Sequence, residues 1–371
     1  MKGFKETNIY VEGKGVIKTS LLVENHQIAK IGNVNEENLD SLPDNLILVP
    51  GFIDEHIHGA FGHDVMEATP TALREIASHL PNEGVTYFCP TTMSMGIEDI
   101  KTALQNIATY VPDKGEAMIV GIHLEGPFLS EKYCGAQNPK FLMDCDEDIL
   151  KHFIESSKNN LRIVTFACER GGENIIPTLI KNDIVPSLGH SDANAEQARE
   201  AIAQGARLAT HCYNAMRGIH HRDVGLLGEI MLDDSVMTEL IADLKHVSPD
   251  AVRLLFKTKG KERIILVSDS MEAKYLPDGH YSLGGQNVLV KDGTARLDSG
   301  VLAGSVLRLD EALANIAKIM PQLSFTEIID LVTKNPAKNL NINNIGAIKV
   351  GNLANFTVVD KNFKVIKTIV L

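Results

Sequence analysis

The sequence predicts an α/β protein, a (β/α)8 TIM-like barrel with a small β-sandwich domain built from both chain termini. Three observations carry this prediction. Short apolar runs alternate with helix-like segments through the middle of the 371-residue chain. Both ends are instead β-rich, broken by glycine and asparagine. No G-x-G-x-x-G follows the first central run, so a doubly wound dinucleotide-binding sheet lacks its signature.

In chain order, the first segment alternates in the strand manner in "NIYVEGKGVIKTSLLVENHQIAKIG", and the last does so in "GAIKVGNLANFTVVDKNFKVIKTIVL". Residues 1–49 plus 338–371 are therefore assigned to one discontinuous β-sandwich domain, and residues 50–337 to the barrel. The strand-like runs of the barrel are "GFIDEH", "VTYFCP", "MIVGIHLEG", "RIVTFACE", "DIVPSLGH", "LATHCYN", "VMTELIAD" and "RIILVSD". Helices are expected between them over 71–82, 97–110, 146–157, 172–182, 194–204, 223–233 and 249–258. The hairpin text "GHYSLGGQNVLVKDGTARLDSG" follows the eighth run and is read as an insertion over one face.

Composition narrows the function classes. The chain is 44% hydrophobic, enough for a large core, and its net charge of −12 comes with scattered basic residues. A nucleic-acid-binding surface is excluded on that ground, whereas a small anionic substrate held by a few local cations is not. Cys89, Cys134, Cys145, Cys168 and Cys212 are odd in number without C-x-x-C spacing, which points to a reducing cytoplasm rather than a disulfide framework. No apolar signal core opens the chain and no run approaches membrane-spanning length, so no membrane partner is expected.

The residues that carry chemistry fall at strand ends. In "IDEHIHG", His56 and His58 lie two apart and so project to one face of a strand. At the C-terminal end of a barrel strand, that face is the mouth of the barrel. One histidine in such a place is more often a hydrogen-bonded structural residue than a ligand. Here, however, Glu125 ends the third run in "HLEGPF", His190 the fifth in "SLGHSD", His211 the sixth in "THCYNAM" and Asp269 the eighth in "LVSDS". These donors on different strands of one barrel predict a metal site suited to Zn²⁺ or Fe²⁺. His123, two before Glu125, is read as an inward residue behind the ligands. Cys212 is expected to pack on the far side of its strand from His211. His63, His79, His152, His220, His221 and His280 lie in helix or loop text and are read as surface residues or as residues behind the ligands.

These segments resemble the metal-dependent amidohydrolase superfamily, and within it the family of N-acetylglucosamine-6-phosphate deacetylases. The matching text is "PGFIDEHIHG", "GVTYFCPTTM", "GIHLEGPF", "LGHSDA", "THCYNAM", "LVSDS" and "GVLAGS", spread through nearly the whole chain. The resemblance implies a metal held by Glu125, His190 and His211, with His56 and His58 holding a second ion and Glu125 able to bridge. It makes Asp269 the catalytic acid/base. It assigns Ala136, Asn214, Ala215, Arg222, His246 and Leu302, Ala303 and Gly304 to the substrate, a phosphorylated N-acetyl amino sugar. It also implies a homodimer, with Arg222 reaching the phosphate from the neighbouring subunit. Gln137 stands where some members carry a histidine to the acetyl carbonyl; an amide can donate there but carries no charge. The family's D-G-x-H becomes "DLKH", which keeps His246 and loses the glycine, and Cys168 replaces a proline.

The expected reaction is hydrolysis of N-acetyl-D-glucosamine 6-phosphate to D-glucosamine 6-phosphate and acetate. A deacetylase of the galactosamine epimer differs by one hydroxyl configuration and stays open. A cyclic-amide hydrolase would typically bridge its metals with a carboxylated lysine, whereas Glu125 stands here. A non-catalytic binding protein would have lost ligands or the terminal aspartate, and all six positions are intact.

Overall fold

Alternating burial turns the two chain ends into a single sheet. The computed structural model describes residues 2–34 and 38–371; Met1 and residues 35–37 of the N-terminal β segment lie outside the described residues. Gly3–Val11, Gly15–Glu24, Gln27–Gly32 and Leu46–Pro50 join Phe356–Asp360 and Val365–Ile369 in one six-stranded sheet. Leu46–Pro50 lies between strands from the two ends, pairing in parallel with Gly3–Val11 and antiparallel with Phe356–Asp360. The strands of this sheet share a core of their own, around Phe4, Ile9, Leu21, Leu48, Phe356 and Val358.

The central strands are parallel and buried on both faces, which is why they read as near-continuous apolar runs. Phe52–Ile57, Val85–Pro90 and Met118–Ile119 form one arc. Ile122–Glu125, Leu161–Phe166, Val185–Leu188, Leu208–Ala209, Met237–Leu240 and Ile264–Leu266 form a second arc of six. A parallel bridge between Thr91 and His123 connects the arcs on one side. On the other, the Asp269 N–H donates to the His56 carbonyl at 2.9 Å and the His58 N–H to the Ser270 carbonyl at 2.9 Å.

Helices form between the strands close to where they are expected, as Pro70–His79, Ile97–Thr109, Glu147–Ser156, Ala195–Ala203, Gly225–Leu232 and Pro249–Lys259. Their starts are set by side-chain caps: Thr69 accepts from Ala72 N, Asn194 forms a capping box with Gln197, and Ser248 accepts from Ala251 N. The helix expected over 172–182 shortens to Ile176–Lys181, because Gly171 at φ 87° ends one 3₁₀ turn and begins another. A further helix, Leu309–Ile319, buries Leu309, Ala312, Leu313 and Ile316 at helical spacing.

The hairpin text becomes an antiparallel sheet of Gly279–Leu283, Gln286–Lys291 and Thr294–Leu297. Its first turn, Gly284–Gly285, holds φ of 55° and 74°, the left-handed pair that a two-residue hairpin requires. Leu283, Val288, Val290 and Ala295 pack with Met93, Met271 and Ala303, and Gln286 Nε2 donates to the Ala136 carbonyl. The hairpin is thereby fastened over the C-terminal ends of the strands, the face where barrel enzymes place their sites.

Candidate metal centre and active site

His56, His58, Glu125, His190, His211 and Asp269 converge within hydrogen-bonding distances at the strand ends. Glu125 Oε1 lies 3.1 Å from both His190 Nε2 and His211 Nε2, whose own separation is 3.0 Å. Glu125 Oε2 lies 3.3 Å from His58 Nε2, and Asp269 Oδ1 lies 3.2 Å from the same nitrogen and 3.5 Å from His56 Nε2. His56 and His58, two apart, bring their Nε2 atoms to 3.3 Å. Glycine is needed next to Glu125: Gly126 has φ 76°, and a Cβ there would sit 2.1 Å from Ser94 Oγ.

His190, His211 and Asp269 depart from the strand-end picture. The strands before them stop at Leu188, Ala209 and Leu266, and the three residues adopt φ of 48°, 31° and 46°. They are aimed by left-handed backbone rather than by strand pleat. Cys212 follows no strand alternation either; it is buried, and its N–H donates to the Glu239 carbonyl.

Hydrogen bonds on the outer side of the rings fix the tautomers. His56 Nδ1 faces Glu239 Oε2 at 2.9 Å, His58 Nδ1 the Thr91 carbonyl at 3.2 Å, and His190 Nδ1 the Tyr133 carbonyl at 3.0 Å. Each of these partners only accepts, so Nδ1 carries the proton and, in a neutral ring, Nε2 turns its lone pair to the centre. Lone pairs meeting carboxylate oxygens at about 3 Å repel unless a cation lies among them, and the outer carboxylate and carbonyls are the usual supports of metal-ligating histidines. The donor set therefore fits a divalent cation.

The electrostatics make the same demand for positive charge. Burial pulls His56 down, yet Glu239, Asp269 and Glu125 outweigh it and push it up to about 9. His58 rises well above its usual value against the same burial, through Asp269 and Glu125. Burial would raise the two carboxylates, but His56 and His190 hold Glu125 well below the usual range, and His56 and His58 bring Asp269 to about 2. His123 goes the other way, driven well below its usual value by burial and then by His56. It donates from Nδ1 to the Glu55 carbonyl at 3.2 Å and accepts at Nε2 from Thr165 Oγ1 at 2.7 Å, behind the cluster.

Above this floor opens a cavity of about 340 Å³. Its wall includes Ala136, Gln137, Asn214, Ala215, His246, Leu302 and Gly304, as well as Met93, Lys132 and Tyr133, which the sequence does not single out. His246 is oriented by Asp243 Oδ2, 2.7 Å from its Nδ1. Ala303 is buried behind the wall in the hairpin cluster. Arg222 does not line its own chain's cavity; it is exposed, with Nη1 2.7 Å from His221 Nε2. Among the described lining residues the only lysine or arginine is Lys132, and Asp192 engages it at 2.9 Å. Glu239 is the supporting residue that sequence reasoning misses; a carboxylate in the middle of the apolar run "VMTELIAD" is the signal that could have found it.

The pattern of the amidohydrolase family matches residues 180–371. The chain is 38% identical over 333 residues to the N-acetylglucosamine-6-phosphate deacetylase of Bacillus subtilis (strain 168), covering 88% of this chain and 84% of that one. It is 36% identical over 322 residues to the N-acetylgalactosamine-6-phosphate deacetylase of Escherichia coli O157:H7, covering 86% and 85%. A solved structure of a mutant N-acetyl-D-glucosamine-6-phosphate deacetylase from Mycobacterium smegmatis, in complex with N-acetyl-D-glucosamine-6-phosphate, superposes with a TM-score of 0.92 at 27% identity, covering 100% of this chain and 98% of that one.

Proposed function

This chain belongs to the amidohydrolase family, and from that premise we propose what it does and how its residues do it. It is an amide hydrolase that deacetylates N-acetyl-D-glucosamine 6-phosphate, releasing D-glucosamine 6-phosphate and acetate in amino-sugar catabolism. The observation that carries the assignment is the convergence of imidazole Nε2 atoms and two carboxylates at the floor of the cavity. Acetate detected by NMR on incubation with that sugar phosphate tests it, and no acetate from metal-loaded protein would contradict it.

Glu125, His190 and His211 would hold one divalent ion, and His56 and His58, with Glu125 and Asp269 beside them, would hold a second. Zn²⁺ or Fe²⁺ suits these nitrogen and oxygen donors. When bound, such an ion would supply a Lewis acid able to lower the pKa of water to about 7 and to polarise the amide carbonyl. Asp269 takes a proton from the attacking water and delivers it to the amide nitrogen as the C–N bond breaks, so the sugar amine does not leave as an anion. His246, Asn214, Ala215 and the Leu302–Gly304 segment orient the sugar.

Arg222 binds the 6-phosphate from a neighbouring subunit of a homodimer, where a guanidinium can give two parallel bonds to phosphate oxygens. Two observations support this: Arg222 is exposed outside its own cavity, and Lys132 on the wall is already engaged by Asp192. The two parallel arcs are read as one closed (β/α)8 barrel over residues 50–337, carried by the terminal sheet of residues 1–49 and 338–371. No described helix is long and apolar enough to cross a membrane. The free thiols at Cys89, Cys134, Cys145, Cys168 and Cys212 support a cytoplasmic location.

The E. coli relative favours a second substrate, N-acetylgalactosamine 6-phosphate. Comparing the two epimers under identical conditions separates these readings.

A further inference from the structure

Gln137 is 2% exposed, and both ends of its carboxamide are hydrogen-bonded to the protein. The Ser94 N–H lies 2.7 Å from Gln137 Oε1, and a backbone N–H can only donate, so this contact fixes which end of the amide is oxygen. Nε2 is thereby turned to Glu125 Oε2 at 2.7 Å, with Met93 Sδ at 3.4 Å as a second, weaker acceptor. The loop that presents Gln137 is held in turn: its own N–H donates to the Cys134 carbonyl at 2.9 Å, and the hairpin's Gln286 grips the neighbouring Ala136 carbonyl.

The bond to Glu125 is directional in its consequence. Oε1 of that carboxylate lies 3.1 Å from both His190 and His211, while Oε2 faces His58. Without the amide donor on Oε2, the direction of that oxygen is less firmly set, because the last torsion of glutamate is broad. Gln137 is the only side-chain amide that donates to that carboxylate among the described residues.

We propose that Gln137 is a positioning residue, which acts through Glu125 to orient the carboxylate between the two histidine pairs. This differs from the contact to the acetyl carbonyl that the family resemblance implies for its position. With both Nε2 protons already directed to Glu125 and Met93, a new bond donated to a substrate carbonyl would cost an existing one. The inference rests on the metal-dependent deacetylase assignment.

The test measures Zn²⁺ affinity and stoichiometry on stripped protein by calorimetry, beside kcat and KM at saturating Zn²⁺. Gln137→Met keeps the length and removes the donor; Gln137→Asn keeps the amide but shortens it. Both variants are expected to bind Zn²⁺ about 10- to 100-fold more weakly, the usual cost of losing a partner that orients a ligand. KM for N-acetylglucosamine 6-phosphate should stay within about threefold once metal is saturating. Unchanged Zn²⁺ affinity in a folded variant, with a fall in kcat or a rise in KM, would overturn the proposal and make Gln137 a substrate contact. Should Gln137→Met fail to fold, Gln137→Asn decides on the same two readouts. Wild-type protein that binds no metal, or binds it and releases no acetate, would instead refute the deacetylase assignment itself.

Discussion

His190, His211 and Asp269 hold left-handed backbone at φ 48°, 31° and 46°. Non-glycine residues held in such regions cost of order 1–3 kcal/mol each, and they persist where the surroundings over-determine them. Here the surroundings include the Asp269 N–H bond to His56 and the His211 N–H bond to Glu239. Asp269→Asn keeps the size and loses the base; kcat is expected to fall by about 10²- to 10⁴-fold with metal still bound, and appreciable turnover would refute the proton-shuttle role. Glu239→Gln tests the support behind His56. Affinity for the second ion should drop about 10- to 100-fold while the ion on Glu125, His190 and His211 remains, read as metal stoichiometry against free-ion concentration. At this scale the sequence is informative for ligands, since H-x-H and the residues after each apolar run are visible as letters. It marks Glu239 only as a carboxylate inside an apolar run, and it is silent on Thr91 and Tyr133, whose contribution is a backbone carbonyl brought in from another strand or loop.

The elements that frame the site are fastened by buried polar contacts. Lys274, just before the hairpin, pairs with Glu83 at 2.5 Å, and both side chains are fully buried. Glu83 also accepts from the Leu309 N–H at 2.7 Å, so one carboxylate anchors the start of the Leu309–Ile319 helix and the base of the hairpin. Removing one partner strands a buried charge: Lys274→Met should destabilise by about 3–5 kcal/mol in urea unfolding. The double variant Lys274→Met/Glu83→Leu should recover part of that loss, and a double variant as unstable as the sum of its singles would show that the two charges are not coupled. Strands and helices were legible because periodicity reports burial, as in the apolar spacing of Ile97–Thr109. The strand ends were not. "LATHCYN" gives only Leu208–Ala209 as strand, since the turn that follows is dictated by tertiary bonds to Glu239.

Across the whole molecule, loops of the parallel arcs and the hairpin meet around one cavity, and we propose that the residue binding the substrate's phosphate comes from a second copy. That arrangement makes a complementation prediction. Arg222→Ala should raise KM for the sugar phosphate well over tenfold without changing metal content. Mixed with inactive Asp269→Asn under conditions of subunit exchange, it should regain about a quarter of wild-type activity, because half the dimers then carry one complete site. No recovery in demonstrably mixed dimers would place the phosphate contact within one chain. The alternation of parallel strands and helices, and the donors that converge at the cavity floor, could be read from the motifs along the chain, but the cavity wall could not. Met93 and Lys132 reach it only because loops from distant strands converge. The most direct test of the central claim is acetate release from N-acetylglucosamine 6-phosphate, beside the unphosphorylated sugar and the galactosamine epimer, with metal determined on the same preparation. Hydrolysis that requires both bound metal and the phosphate is the predicted result; turnover of none of the three by fully metal-loaded protein would contradict it.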